Sequence, residues 1–209
     1  MSEVVLYDYW RSSAAYRVRI ALNLKGIGYR REAIDLVEGK QRSADYRRLN
    51  PQGLVPALAI DGALLTQSMA IVEYLDERFP DPALLPTDLL ERSRVRALAL
   101  SVVADIHPLN NLRVLNWLRG ELCQGEEAVM QWYRHWITEG FAALEAEAPE
   151  AGLFGEDRPN LADLCLVPQM ANARRFEVPL GAFPRLVRID ADLRALPAFA
   201  AAAPEAVKN

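Results

Sequence analysis

The chain has 209 residues, 51% of them hydrophobic, enough apolar material for one large core or two smaller ones, and two compact domains suit that length better. With 28 acidic against 24 basic side chains and no long basic run, the charge balance argues against a nucleic-acid surface. No 18-residue apolar stretch and no charged-then-apolar leader is present, so the expectation is a cytoplasmic protein with no membrane partner. The only cysteines, Cys123 and Cys165, lack C-x-x-C spacing, and His107 and His135 are far apart, so neither a disulfide framework nor a metal site is expected.

In chain order, Val4–Tyr7 reads as a buried strand and is followed by Arg11-Ser12-Ser13 and a helix whose apolar face is Ala14, Val18, Ala21 and Leu22. Ser12 or Ser13 is the natural cap of that helix. The same helix start, with unpaired amides and a partial positive charge, suits an anion, and a thiolate placed there would have a lowered pKa. Capping alone is the plainer use of the serines. Gly26 falls where a helix should end, and Tyr29–Asp35 reads as a second strand, which makes a β-α-β unit.

A short polar helix, Ser43–Leu49, comes next, then Val55-Pro56 ahead of two apolar runs joined by Asp61-Gly62. That dipeptide predicts an antiparallel hairpin of residues 57–60 and 63–66. Pro56 is a candidate cis residue, with a trans proline at a strand entry as the alternative. Gln67-Ser68 opens another helix, with Ser68 placed to cap it. Three prolines between Phe79 and Pro86 end that helix, and the domain boundary is placed there, with domains 1–82 and 88–209.

From Asp88 the pattern is helical. Val95, Leu98, Ala99, Val102 and Val103 form one stripe, and Trp132, Trp136, Ile137, Phe141 and Leu144 another. Asn160-Leu161-Ala162-Asp163 reads as a capping box opening a buried helix that Pro168 kinks. The alanine-rich tail from Ala198 is expected to fray.

This order of elements resembles the cytosolic glutathione transferases. Three stretches, Arg11-Ser12-Ser13 with Arg17-Val18-Arg19-Ile20-Ala21-Leu22, Gln67-Ser68, and Ala162–Gln169, narrow the resemblance to the zeta class, the maleylacetoacetate isomerases and the related maleylpyruvate isomerases. It implies a thioredoxin-like α/β N-terminal domain, an all-α C-terminal domain, a homodimer and glutathione as cofactor. One position departs from the pattern: Ala14 stands where the class has cysteine. Without a protein thiol there, a glutaredoxin-like oxidoreductase is disfavoured.

Carried onto this chain, the resemblance implies that Ser12 and Ser13 face the glutathione sulfur, Gln41 its glycine end, Val55-Pro56 its cysteinyl unit, and Gln67 with Ser68 its γ-glutamyl carboxylate. Arg17, His107 and Asn111 join the glutathione-binding set. Arg11, His107, Arg113 and Arg175 would hold the substrate, with Arg174 the structural or exposed member of its pair. A maleyl keto acid is a dianion, and arginine holds a carboxylate through two parallel hydrogen bonds. The implied reaction is glutathione-dependent cis–trans isomerisation, with Ser12, Ser13 and Arg11 as the catalytic candidates. A transferase or dehalogenase acting on small α-halo acids, and a non-catalytic glutathione-binding protein, are the alternatives.

Overall fold

A computed structural model describes residues 3–208. The chain divides into two compact units, one running to Ala83 and resuming at Ala195, the other Leu84–Arg194.

In the first unit, β1 (Val5–Asp8) is followed by α1 (Ser13–Leu24), β2 (Arg30–Ala33), a 3₁₀ turn (Lys40–Arg42) and α2 (Ala44–Leu49). Then come β3 (Ala57–Ile60), β4 (Ala63–Thr66) and α3 (Ser68–Arg78). Among the described residues the sheet has four strands in the order β2-β1-β3-β4. The β-α-β crossover makes β1 parallel to β2, and the Asp61-Gly62 turn makes β3 antiparallel to β4, as the sequence predicts. Both turn residues take left-handed backbone, φ 50° and 78°, the conformation a tight hairpin turn requires.

Leu6, Val18, Ile20, Leu22, Leu58, Ile71 and Leu75 form the core of this unit. β2 is shorter than Tyr29–Asp35 because it lies at the sheet edge and three of its four side chains are exposed, so little burial holds its ends. α1 ends where Gly26, at φ 65°, turns the chain out of the helix.

The register puts the site at one end of the sheet. Tyr7 lies opposite Ala57, Ala57 opposite Thr66, and Asp8 opposite Ala33. The exits of β1, β2 and β4 and the entry of β3 therefore share an end. There the chain runs into Tyr9–Ser12, the Gln41 turn, Val55-Pro56 and Gln67-Ser68.

The tail departs from its expectation. Rather than fraying, it forms α9 (Pro197–Ala200) and α10 (Pro204–Val207), and it belongs to the first unit, whereas the expected helical domain ran to 209. Phe199 and Ala202 are fully buried, and Asn23 Nδ2 donates to the Ala198 carbonyl at 2.9 Å. The composition suggested a loose end, but one buried aromatic ring outweighs the weak anchoring of alanine.

The second unit is helical: α4 (Leu89–Leu100), which continues into a π-helical turn (Ser101–Ile106), α5 (Leu112–Gly120), α6 (Glu126–Glu147), α7 (Leu161–Arg175) and α8 (Pro184–Arg194). The predicted stripes supply its core through Val95, Ala99, Val102, Ile137, Phe141 and Leu144. Asn160 and Asp163 make the expected capping box on α7, and the helix continues through Pro168. Asp163 accepts from the amides of Phe154, Gly155 and Asn160 at 2.9–3.1 Å, which pins the preceding loop to the helix. Its burial nevertheless pushes its pKa up to about 6. No helix among the described residues is long and apolar enough to cross a membrane.

Candidate functional site

Ser12 is the N-cap of α1: its backbone is extended, φ −70° and ψ 117°, and its Oγ accepts from Ala15 N at 3.2 Å. The turn before it closes through Ser12 N donating to Tyr9 O at 2.8 Å. An Oγ that accepts this bond still carries an O–H to donate. Hydroxyl and first-turn amides thus converge at the helix start, where negative charge is stabilised. Ser13 is buried in the first turn, and Ala14 follows it. Arg11 is exposed with its guanidinium 4.3 Å from the centre of the Trp10 ring.

The second helix start is built differently from the expectation. Gln67, not Ser68, caps α3, and it makes no side-chain capping bond. Its φ of 67° lies in the left-handed region, a strained conformation for a non-glycine residue, and its Nε2 donates to Gln52 Oε1 at 2.9 Å. Ser68 is instead the first helical residue, and its Oγ accepts from Arg17 Nε at 3.3 Å and Nη2 at 3.1 Å. Arg17 is buried, so a positive charge from α1 stands behind the start of α3. Together they favour a carboxylate at that point.

Val55-Pro56 is a cis peptide, which resolves the alternative left open by the sequence. The loop before it is braced by Tyr46, whose hydroxyl donates to Leu54 O at 2.7 Å, and by Asn50 Nδ2, which donates to the same carbonyl at 2.9 Å. Burial pushes the Tyr46 pKa up to about 12, so the hydroxyl remains a donor. Neither residue stands out in the sequence, because a tyrosine on a short polar helix has no distinctive spacing. Gln41 is buried in the 3₁₀ turn, and its Oε1 has no hydrogen-bond partner among the described residues. Gly53 lets this turn close: at φ 61°, a Cβ there would meet Gln41 O at 2.9 Å.

In the second unit, His107 ends the π-helical turn, its amide donating to Val102 O at 2.9 Å. Asn111 caps α5 by accepting from Arg113 N at 3.1 Å, so its side-chain oxygen has a structural use. Arg113 is exposed in the first turn of that helix. Arg174 and Arg175 end α7 and separate in role. Both are exposed; Arg174 pairs with the buried Asp190, and the Arg175 guanidinium lies 4.9 Å from the Phe176 ring centre. Phe176 in turn lies against Tyr133, with ring centroids 3.9 Å apart.

Ser12, Ser13, Arg17, Gln41, Val55, Gln67 and Ser68 are thus gathered at one end of the first unit's sheet. Residues 11–78 match the family model described as the glutathione S-transferase N-terminal domain. The chain is 52% identical over 212 residues to a probable maleylacetoacetate isomerase of Vibrio cholerae, covering 98% of this chain and 97% of that one. It is similar, with a TM-score of 0.96 and 46% identity over 98% of this chain and 99% of the other, to the holo structure of a maleyl pyruvate isomerase, a bacterial zeta-class glutathione S-transferase. A maleylacetoacetate isomerase of Anaeromyxobacter dehalogenans, TM-score 0.88 and 44% identical over 99% of this chain and 97% of that one, has dicarboxyethyl glutathione and citrate bound in its active site. With this likeness running over nearly its whole length, the chain belongs to the zeta class of the glutathione S-transferases.

Proposed function

We propose that the protein is a glutathione-dependent cis–trans isomerase that converts a maleyl keto acid, maleylacetoacetate or maleylpyruvate, to its fumaryl isomer. The observation that carries the reading is the α1 start, where Ser12 offers an O–H beside backbone amides at the same sheet end as Gln41, Val55 and the Arg17-backed Ser68. Glutathione fits these groups: a γ-glutamyl carboxylate at the start of α3, a cysteinyl main chain along Val55, a glycine end near Gln41, and the sulfur at Ser12 and Ser13. The dicarboxyethyl glutathione bound by a relative is a glutathione thioether carrying two carboxylates, the kind of adduct this reaction passes through.

The thiolate adds to one carbon of the cis double bond, and the displaced electron pair moves onto the ketone oxygen as an enolate. The former double bond, now single, rotates. The enolate then collapses, restores the double bond in the trans form and expels the thiolate, so glutathione is regenerated. Ser12 holds the sulfur ionised by donating its O–H. Arg11, Arg113 and Arg175 are the proposed partners of the substrate's two carboxylates. Donors already in place favour the enolate-like transition state over the substrate. Stabilisation of the thiolate has an optimum, because sulfur nucleophilicity falls as its pKa falls.

The test is to incubate the protein with glutathione and maleylpyruvate, maleylacetoacetate or dichloroacetate while titrating free thiol. From the maleyl keto acids the reading predicts fumaryl product with the thiol concentration unchanged. Stoichiometric thiol loss would make the protein a conjugating transferase, and glutathione binding without turnover on any of the three would make it a binding protein. We also infer a cytoplasmic homodimer; sedimentation of the purified chain tests the dimer, and fractionation of the cells that make it tests the location.

A further inference from the structure

Arg19 is completely buried, and the site described above does not use it. All three of its guanidinium nitrogens are engaged: Nη1 donates to Asp8 Oδ1 at 2.7 Å, Nη2 to Trp10 O at 3.1 Å and Nε to Ala202 O at 2.9 Å. The other oxygen of buried Asp8 accepts from Arg31 Nε at 2.8 Å, and Arg31 Nη1 donates to Val207 O at 2.6 Å. Lys208 Nζ lies 5.1 Å from the centre of the same Trp10 ring that Arg11 covers. One connected network therefore holds two carbonyls of the C-terminal segment and one carbonyl of the loop that ends in Ser12.

A guanidinium presents its donors in a fixed plane, so the positions of Trp10 O and Ala202 O are set jointly, as a flexible lysine ammonium would not set them. Asp8, fully buried between two arginines, keeps the network charged and leaves little freedom to rearrange. Resting on the reading of Ser12 given above, we propose that the C-terminal segment Leu196–Lys208 is a positioning element for the glutathione sulfur, coupled through Arg19, Asp8 and Arg31 to the Tyr9–Ser12 loop.

Two full-length variants test this. Arg31→Met removes the Val207 anchor and leaves Arg19 and Asp8 paired, and Arg19→Lys keeps a cation on Asp8 but cannot span both carbonyls. Arg31→Met releases both the tail's Val207 carbonyl and the second oxygen of Asp8 while Trp10 O keeps its Arg19 donor, so amide exchange in Trp10–Ser13 should quicken by about tenfold if the network couples the two. The thiol of bound glutathione, followed by thiolate absorbance, should titrate about one pH unit higher in both variants. Turnover should fall about tenfold with KM for glutathione within about twofold. In a Ser12→Ala background the same changes should add nothing to the thiol titration. A lowered melting temperature with wild-type loop exchange, thiol titration and turnover would reduce the network to a structural role and overturn the proposal. If Ser12→Ala itself leaves the titration unmoved, the Ser12 assignment fails, and the positioning claim is decided by loop exchange alone.

Discussion

A thiolate placed at the start of α1 would meet a hydroxyl and backbone amides, and removing that hydroxyl also removes the cap on Ala15 N, at a cost of about 1 kcal/mol in stability. Ser12→Ala should raise the pKa of bound glutathione by about 1 to 2, the equivalent of the roughly 1.5–3 kcal/mol that a hydrogen bond to a charged group contributes. A UV titration of the complex identical to wild type would remove Ser12 from the mechanism. Arg175, exposed with its guanidinium over the Phe176 ring, is the proposed partner of a substrate carboxylate. Arg175→Ala should raise KM for the maleyl keto acid about 10- to 100-fold and leave turnover of a neutral chloronitrobenzene electrophile unchanged. Equal loss on both substrates would place the residue in folding or in glutathione binding. At this scale the sequence shows which side chains are available but not what each one meets. Ser68 reads as a cap, and its structural position is one residue further on, because Gln67 takes up the left-handed backbone before the helix.

Among the elements, α7 was the most legible and gives the clearest stability test. Asn160, three residues ahead of an acid and just before an apolar run, is a local signal, and the capping box forms as that signal requires. Asp163→Ala leaves three amide donors without their acceptor, and should cost about 2–4 kcal/mol in chemical denaturation. Asp163 also sets a pH dependence. Its folded pKa of about 6 lies above the ordinary 3.8 because burial outweighs the three amide donors, so the folded state binds more protons than the unfolded chain between those values. Stability should therefore fall as pH rises from about 4 to about 6, by up to about 3 kcal/mol, and level off above. Melts across that range with Asp163→Asn, which should lack the slope, check the assignment. The hairpin was legible for the same reason as the cap, since Asp61-Gly62 states its turn within two residues. The π-helical turn at Ser101–Ile106 was not, because its residues read as an ordinary continuation of the α4 stripe.

For the molecule as a whole, the tail carries the prediction. Phe199 is fully buried, so Phe199→Ala should cost about 3–5 kcal/mol of stability, read by thermal or denaturant unfolding of the full chain. A loss below about 1 kcal/mol would mean that the segment is held by its backbone contacts alone. The order of strands and helices, the hairpin and the caps of α1 and α7 followed from sequence alone, because each rests on periodicity or turn chemistry within about ten residues. Tertiary structure alone decided that the tail returns to the first unit, that Arg17 backs Ser68, and that Arg19 reaches a carbonyl 183 positions away. Those pairings carry no local pattern. They arise because a buried guanidinium must find acceptors wherever the packed chain presents them.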